Sequence, residues 1–248
     1  MATLHLLGTG AALSDPHRTT TMLAVAEGSS SVLVDCGGDA LHRWQAAGLS
    51  LGSLDALILT HAHADHVSGF PLLMEKLWLS GRERPLPIYG IAQALEQAQR
   101  SFETFDTSGW EGLFAVTWHE VSLEEQAPVL ETEQWTITAS PGTHSVRVIG
   151  LRVESRATGG VVGYSCDTEP SPEIASLAHQ ADILVHEANG ERPGHSSAED
   201  AAWVARKAEA GRLLLVHLPP GDKTADVFAA RQTFPATDLG DELGAYPF

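Results

Sequence analysis

The chain has 248 residues, enough for one large domain or two small ones with a substantial core. Hydrophobic residues make up 43% and charged residues 19%, an ordinary globular balance. With 15 Lys+Arg against 32 Asp+Glu the net charge is -17, the wrong sign for a non-specific nucleic-acid binder, whose phosphate contacts need basic surface.

The N-terminus, Met1-Ala2-Thr3-Leu4-His5, has no basic segment leading into an apolar one, so no signal peptide is expected. Apolar runs such as 213–216 are far too short to span a bilayer, so no membrane partner is expected. Cys36 and Cys166 are the only cysteines; they do not make a disulfide framework, and a reducing cytoplasm is the expected setting. Both read as small buried thiols at strand ends.

In chain order, short β runs are predicted at 3–7, 22–26 and 32–35, then a helix at 39–47 ended by Gly48. A buried-strand pattern at 56–60 runs straight into a histidine cluster. An amphipathic helix at 71–80 stops at Gly81, and a strand at 86–89 and a helix at 92–102 follow. The second half restarts with strands at 114–119, 135–139, 146–153 and 161–165, and a short one at 182–185. Ser196 or Ser197 can cap a helix through Ala210, with Glu199 and Asp200 favourably placed in its first turn. A buried strand at 213–216 and a helix at 222–234 close the chain. No linker or repeat divides the sequence, so residues 1–248 read as a single domain. Strands and helices alternate twice, which predicts an α/β fold of four layers, two sheets face to face with helices outside.

The decisive segment is Thr60-His61-Ala62-His63-Ala64-Asp65-His66. Three imidazoles and a carboxylate within six residues, just past a buried strand, can converge because Ala62 and Ala64 keep the turn compact. His and Asp donors suit zinc and neighbouring first-row metals better than calcium or magnesium.

The pattern H-x-H-x-D-H after an apolar strand resembles the metallo-β-lactamase superfamily. The rest of the chain follows that family's order: Asp35 after a β run, His144 in Pro141-Gly142-Thr143-His144-Ser145, Asp167 in Gly163-Tyr164-Ser165-Cys166-Asp167-Thr168, and His217 after 213–216. The resemblance implies an αββα sandwich with two divalent metal ions at one edge of the sheets, zinc in the first place, with manganese and iron as alternatives. It assigns one ion to His61, His63 and His144, the other to Asp65, His66 and His217, with Asp167 bridging. Metals about 3.5–4 Å apart can share a hydroxide and clamp the attacked oxygen. Asp65 has a second oxygen free to orient that hydroxide, and Asp35 would fix a ligand imidazole from behind.

Two further features are similar to the tRNase Z-like phosphodiesterase branch: the opening Leu7-Gly8-Thr9-Gly10, and His186-Glu187-Ala188 followed by Gly194-His195-Ser196-Ser197-Ala198. The resemblance implies that His195 protonates the leaving oxygen, work suited to an imidazole near neutral pH. Glu187 would orient His195 or fix the loop backbone, with neither favoured, and His186 reads as structural. The chain departs from that branch in two respects. Bacterial tRNase Z grips tRNA with an arm between the third histidine and the bridging aspartate, whereas only 22 residues separate His144 from Asp167 here. After His217 the sequence Leu218-Pro219-Pro220-Gly221 also lacks that branch's basic and aromatic residues.

The expected function is therefore a dinuclear metal-dependent hydrolase, a phosphodiesterase on small or short phosphodiesters. Lactone, thioester or sulfate ester hydrolysis is the alternative. A tRNA 3′-processing endonuclease and a non-catalytic metal-dependent binding pocket stand behind both. Arg147, Arg152, Arg156 and Arg192 are candidates for a local basic rim, and His17 and Arg18 sit in a loop that could approach substrate. His5, His42, His119 and His179 read as structural or solvated. The aromatic density between residues 102 and 110 suggests a face for a homodimer or a pocket lid.

Overall fold

The computed structural model describes residues 1–248. Strands β1 (Thr3–Gly8), β2 (Met22–Glu27), β3 (Ser30–Val34), β4 (Leu54–Leu59), β5 (Leu86–Gly90) and β6 (Val116–Glu120) form one sheet. Strands β7 (Ala127–Glu131), β8 (Trp135–Pro141), β9 (Ile149–Ser155), β10 (Val161–Tyr164), β11 (Ile183–Glu187), β12 (Arg212–Val216) and β13 (Thr237–Leu239) form the other. The C-terminal β14 (Ala245–Pro247) returns to the first sheet beside β1, giving the order β14-β1-β2-β3-β4-β5-β6. The second sheet runs β13-β12-β11-β10-β9-β8-β7. Both sheets are mixed: β3 to β6 pair in parallel, as do β10 to β13, and the remaining pairs are antiparallel.

Central parallel strands are covered on both faces, which is why β4 and β12 carry the unbroken apolar runs 56–59 and 213–216 rather than alternating ones. One hydrophobic core joins the facing sheets, with Leu4, Val32, Leu57 and Ile58 from the first and Trp135, Ile137, Leu151 and Val185 from the second. The Trp135 indole N–H donates to Ser30 Oγ across the interface at 3.0 Å. Helices α1 (Ala40–Ala46), α3 (Phe70–Leu79) and α4 (Ala92–Glu103) cover the first sheet, and α2 (Ala64–Val67) is a single turn carrying part of the histidine cluster. On the second sheet lie α5 (Pro172–Leu177), α6 (Ala198–Lys207) and α7 (Thr224–Thr233). The alanine face of α6 (Ala198, Ala201, Ala202, Ala205) lets it settle close against Leu213 and Leu215 in a second apolar cluster. The four-layer αββα arrangement expected from the sequence is the observed one.

Some boundaries differ. The strand expected at 146–153 begins only at Ile149, because residues 145–148 form the loop that leaves His144. The strand expected from residue 114 begins at Val116. The helix expected to reach Ala210 ends at Lys207, and Glu209 adopts φ 55, which an α-helix cannot continue through. Strands β7, β13 and β14 and helices α2 and α5 have no counterpart in the sequence reading. No helix is long and apolar enough to cross a membrane.

The topology places the site. β3, β4, β8, β10, β11 and β12 run into Asp35, Thr60, His144, Asp167, Glu187 and His217 at or just beyond their C-terminal ends. The carboxyl ends of parallel strands are where open α/β sheets hold their ligands.

Candidate metal centre

All seven side chains predicted as metal ligands meet at this edge. His61 Nε2 lies 3.2 Å from His63 Nδ1, which is 3.1 Å from His144 Nε2. Beside that group, Asp65 Oδ2 lies 3.3 Å from His217 Nε2 and 3.6 Å from His66 Nε2. Asp167 touches both groups. Its Oδ2 lies 3.8 Å from His61 Nε2 and from His144 Nε2 and 3.4 Å from His217 Nε2, and its Oδ1 lies 3.5 Å from His66 Nε2.

Behind the donors, a layer of hydrogen bonds turns each imidazole. Asp35 Oδ2 accepts from His66 Nδ1 at 2.8 Å, which leaves His66 Nε2 aimed into the site. Asp35 also accepts from the Thr60 hydroxyl and, through Oδ1, from the Thr60 backbone N–H. With its proton committed to Asp35, Thr60 Oγ1 accepts from His61 Nδ1 at 3.1 Å and from the Cys166 thiol at 3.0 Å. His144 Nδ1 donates to the Gly194 carbonyl at 2.6 Å. Such outer contacts fix the tautomer in which the other ring nitrogen can ligate a metal. Asp35, expected to brace an imidazole, braces His66. Thr60 was not singled out from sequence, although a polar residue ending an apolar strand was the visible signal.

The backbone is held in unusual conformations to do this. Asp35, Cys166 and His217 have φ of 61, 53 and 52, the left-handed region where a non-glycine residue is strained. Each lies just past the C-terminal end of a strand, β3, β10 and β12 in turn. Gly37 packs beneath the Asp65 carbonyl, where a Cβ would collide with it.

The donor set suits divalent cations. Among the few buried polar atoms without a hydrogen-bond partner are His66 Nε2 and Asp167 Oδ1, both in the cluster. Orphaned buried polar atoms are costly unless an ion or water meets them. His61, His63, His144 and Asp167 present donor atoms within 4.8 Å of one another, and so do Asp65, His66 and His217. Burial and the neighbouring imidazoles push His61 well below its ordinary value, so it is a neutral donor. Burial opposes a proton on His66, but Asp167, Asp35 and Asp65 outweigh it and push it up to about 9. The site thus calls for positive charge. Burial would raise Asp65, yet its His217 hydrogen bond and the His66 charge hold it far below the usual carboxylate range, so it is ionised.

A cavity of about 350 Å³ opens onto the cluster, lined by Ala11, Leu13, Asp65, Asn189, Arg192 and His195 among others. A larger cavity, about 780 Å³, lies elsewhere, by Arg152, Trp203 and Lys207, and holds none of the cluster. His195 stands at the rim of the site, its ring 4.8 Å from that of His144 and 5.7 Å from that of His217. Its Nδ1 donates to Glu187 Oε1 at 2.9 Å. Burial would lower His195, but the bond to Glu187 and its charge prevail and raise it. Glu187 does both of the tasks left open by the sequence. Besides His195 it accepts from the backbone N–H of Thr168 at 2.8 Å and of Asn189 at 3.1 Å. His186 is buried, with Nδ1 on the Glu187 carbonyl, away from the cavity lining.

Other expectations need correction. Arg152 donates to the Leu177 and His179 carbonyls, and Arg156 pairs with Glu131, so neither belongs to a rim around the site. Arg147 is exposed and does not line the cavity; of the four candidates only Arg192 does. Arg18 and the His17 backbone are tied to Asp15, and it is Ala11, Ala12 and Leu13 of the same loop that reach the cavity. In the aromatic segment only Phe105 stays exposed, because Trp110 stacks on Trp78 at 4.8 Å and Phe102 packs on Phe70 and Trp110. Glu169, missed from sequence, accepts from the Gly194 N–H at 2.8 Å and ties the His195 loop to the Asp167 segment.

Residues 30–218 match the β-lactamase superfamily domain. The chain belongs to the metallo-β-lactamase superfamily, on its tRNase Z-like branch. Within that superfamily it is a hydrolase. It is 30% identical to a ribonuclease Z of Methanothermobacter thermautotrophicus, over 98% of this chain and 95% of that protein. That alignment runs over 303 positions, more than this chain's 248 residues, so the relative carries segments with no counterpart here. Among solved structures, the metallo-β-lactamase fold protein YhfI from Bacillus subtilis superposes with a TM-score of 0.84 at 24% identity, covering 99% of this chain and 98% of that one. Human tRNase Z, short form, superposes at 0.82 with 23% identity, over 99% and 98%.

Proposed function

We propose that this superfamily member is a dimetal phosphodiesterase acting on small or short phosphodiesters. The observation that carries the reading is the His195–Glu187 pair, set with a 2.9 Å hydrogen bond beside a complete set of His and Asp donors. A lactone or thioester hydrolase needs a positioned acid less than an enzyme expelling an alkoxide from phosphorus does.

One ion would be held by His61, His63 and His144, the second by Asp65, His66 and His217, with Asp167 between them. Two divalent ions there would polarise the phosphoryl oxygen and lower the pKa of water toward neutrality. Asp65 turns one oxygen toward His217 and keeps the other to orient the attacking water. His195, anchored through Nδ1 to Glu187, presents Nε2 to the leaving oxygen and gives up its proton there. Glu187 keeps the ring oriented and favours its charged form before the transfer.

The relatives named ribonuclease Z make RNA cleavage the competing substrate assignment. Against it stand the segment between His144 and Asp167, filled by a short loop, β9, a turn and β10 with no arm, and the net charge of -17. The test is to load the protein with zinc, manganese or iron and assay bis-p-nitrophenyl phosphate, a lactone and a thioester in parallel. Turnover of the phosphodiester with about two metal equivalents per chain supports the reading. Turnover confined to the lactone or thioester, or protein that takes up no metal, contradicts it. Asp65→Ala should abolish hydrolysis of every ester, whereas His195→Ala should slow esters with poor leaving groups by ~10²–10⁴-fold and p-nitrophenyl esters much less.

A further inference from the structure

The loop between β11 and α6 carries the only Lys or Arg that lines the metal-site cavity, Arg192. Other arginines are engaged elsewhere or lie outside the cavity: Arg18 is held by Asp15, Arg43 by Glu242, Arg152 by two backbone carbonyls and Arg156 by Glu131, and Arg147 is exposed but does not line it. Arg192 has no carboxylate partner. Its Nη2 donates to the Asn189 carbonyl at 2.9 Å, which directs the head group while the rest of the guanidinium stays available.

The loop bearing it is fastened at several points. The Gly190 N–H donates to the Ser196 carbonyl and the His195 N–H to the Arg192 carbonyl, both at 3.0 Å. Gly194 is tied to Glu169 through its N–H and to His144 through its carbonyl. Gly194 has φ 82 and lies so close to the His144 ring that a Cβ would sit 2.9 Å from Nδ1. A short loop locked in this way holds its arginine at a set place relative to the donor cluster. Ala11, Ala12 and Leu13 give the cavity an apolar part of its lining, with Leu13 61% exposed. At about 350 Å³ the cavity is at the small end of ligand sites, the size for a single compact molecule.

Building on the phosphodiesterase reading, we propose that Arg192 is a specificity-determining residue. It binds a second anionic group, phosphate or carboxylate, on a compact phosphodiester whose scissile phosphate lies at the His and Asp cluster. A guanidinium presents its N–H groups as a planar fork matched to such oxyanions, and hydrogen bonds of this kind are stronger than neutral ones. The acidic surroundings sharpen the selection. With Asp65 and Asp167 on the cluster side and His195 assigned to the leaving oxygen, Arg192 is the lining group left to favour a remote anion in this cavity.

The test uses three diesters of p-nitrophenyl phosphate with the same leaving group and different far ends: 2-methoxyethyl, 2-carboxyethyl and 2-phosphoethyl. Metal-loaded wild-type protein should turn over an anionic ester with kcat/KM about tenfold or more above the methoxyethyl ester, mostly through KM. The carboxyethyl and phosphoethyl arms show which oxyanion is preferred. In Arg192→Ala the ratio should fall to about one, and in Arg192→Lys, which keeps the charge without the fork, to an intermediate value. Dissociation constants of the matching non-hydrolysable phosphonates, measured calorimetrically, should change by the same factors. An unchanged ratio in Arg192→Ala, or no preference for an anionic end in the wild type, would overturn the assignment to Arg192 and leave the phosphodiesterase reading standing. Wild-type protein that hydrolyses none of the three overturns that reading, and the role of Arg192 with it.

Discussion

Glu187 is buried next to His195, with Oε1 shared between the His195 ring and the Thr168 N–H and Oε2 on the Asn189 N–H. Its charge bears mainly on His195, while its shape bears on the loop. Glu187→Gln should therefore keep the fold and slow esters with poor leaving groups by about ten- to a hundredfold, with a smaller effect on p-nitrophenyl esters. Equal losses across leaving groups would show that Glu187 serves the loop alone. One position to its N-terminal side, His186 is fully buried, and desolvation pushes it down to about 4 from 6.5. The unfolded chain protonates this imidazole below about pH 6.5 and the folded chain only near 4, so its contribution is intact above 6.5 and is lost as pH falls between the two. At about 1.4 kcal/mol per unit, the loss is on the order of 3 kcal/mol. Urea unfolding of wild type and His186→Gln at pH 7 and pH 4.5 should show the wild type losing more stability over that interval. Parallel losses would mean that His186 does not titrate in this way.

The strand-to-turn junctions that deliver Asp35, His61, Asp167 and His217 were legible because each is an apolar run ending in a polar residue suited to metal binding. The ladders flanking them were less so. β13 and β14 are three residues each, too short for any periodicity, and β7 contains Pro128 and a register shift at the sheet edge. Helix α5 left a readable mark that went unused, Ser171 as cap with Pro172 and Glu173 in the first turn. Side-chain geometry was legible only in outline. The sequence allowed Ser196 or Ser197 as the cap of α6, and only the three-dimensional arrangement separates them. Ser197 forms a reciprocal capping box with Asp200, while Ser196 is buried and donates to the Thr168 carbonyl at 2.7 Å beside the site. Ser197→Ala should accordingly lower stability by about 1 kcal/mol and leave kcat unaltered. A loss of activity without a loss of stability would contradict this division between the two serines.

Taken as a whole molecule, two mixed sheets bring His61, His63, Asp65 and His66 from the first half of the chain against His144, Asp167 and His217 from the second. The fold class and the donor set follow from motif order. The shape of the cavity, the placement of Arg192 and the folding-in of Trp110 do not, because they depend on loop conformations that no local pattern encodes. Substrate size is decided at this scale as well. An extended tRNA contact neutralises several phosphates, each adding to the salt dependence of binding. A chain of net charge -17 with no arm between His144 and Asp167 offers little to make those contacts, whereas on the proposed reading a compact diester would draw its charge complementarity from the metal centre itself. The most direct measurement is kcat/KM of the metal-loaded protein for a precursor tRNA and for a cyclic or dinucleotide phosphodiester at physiological salt. Higher kcat/KM on the small diester, with weak, salt-sensitive binding of the tRNA, is the predicted result. Efficient and site-specific 3′ trimming of the tRNA would contradict it.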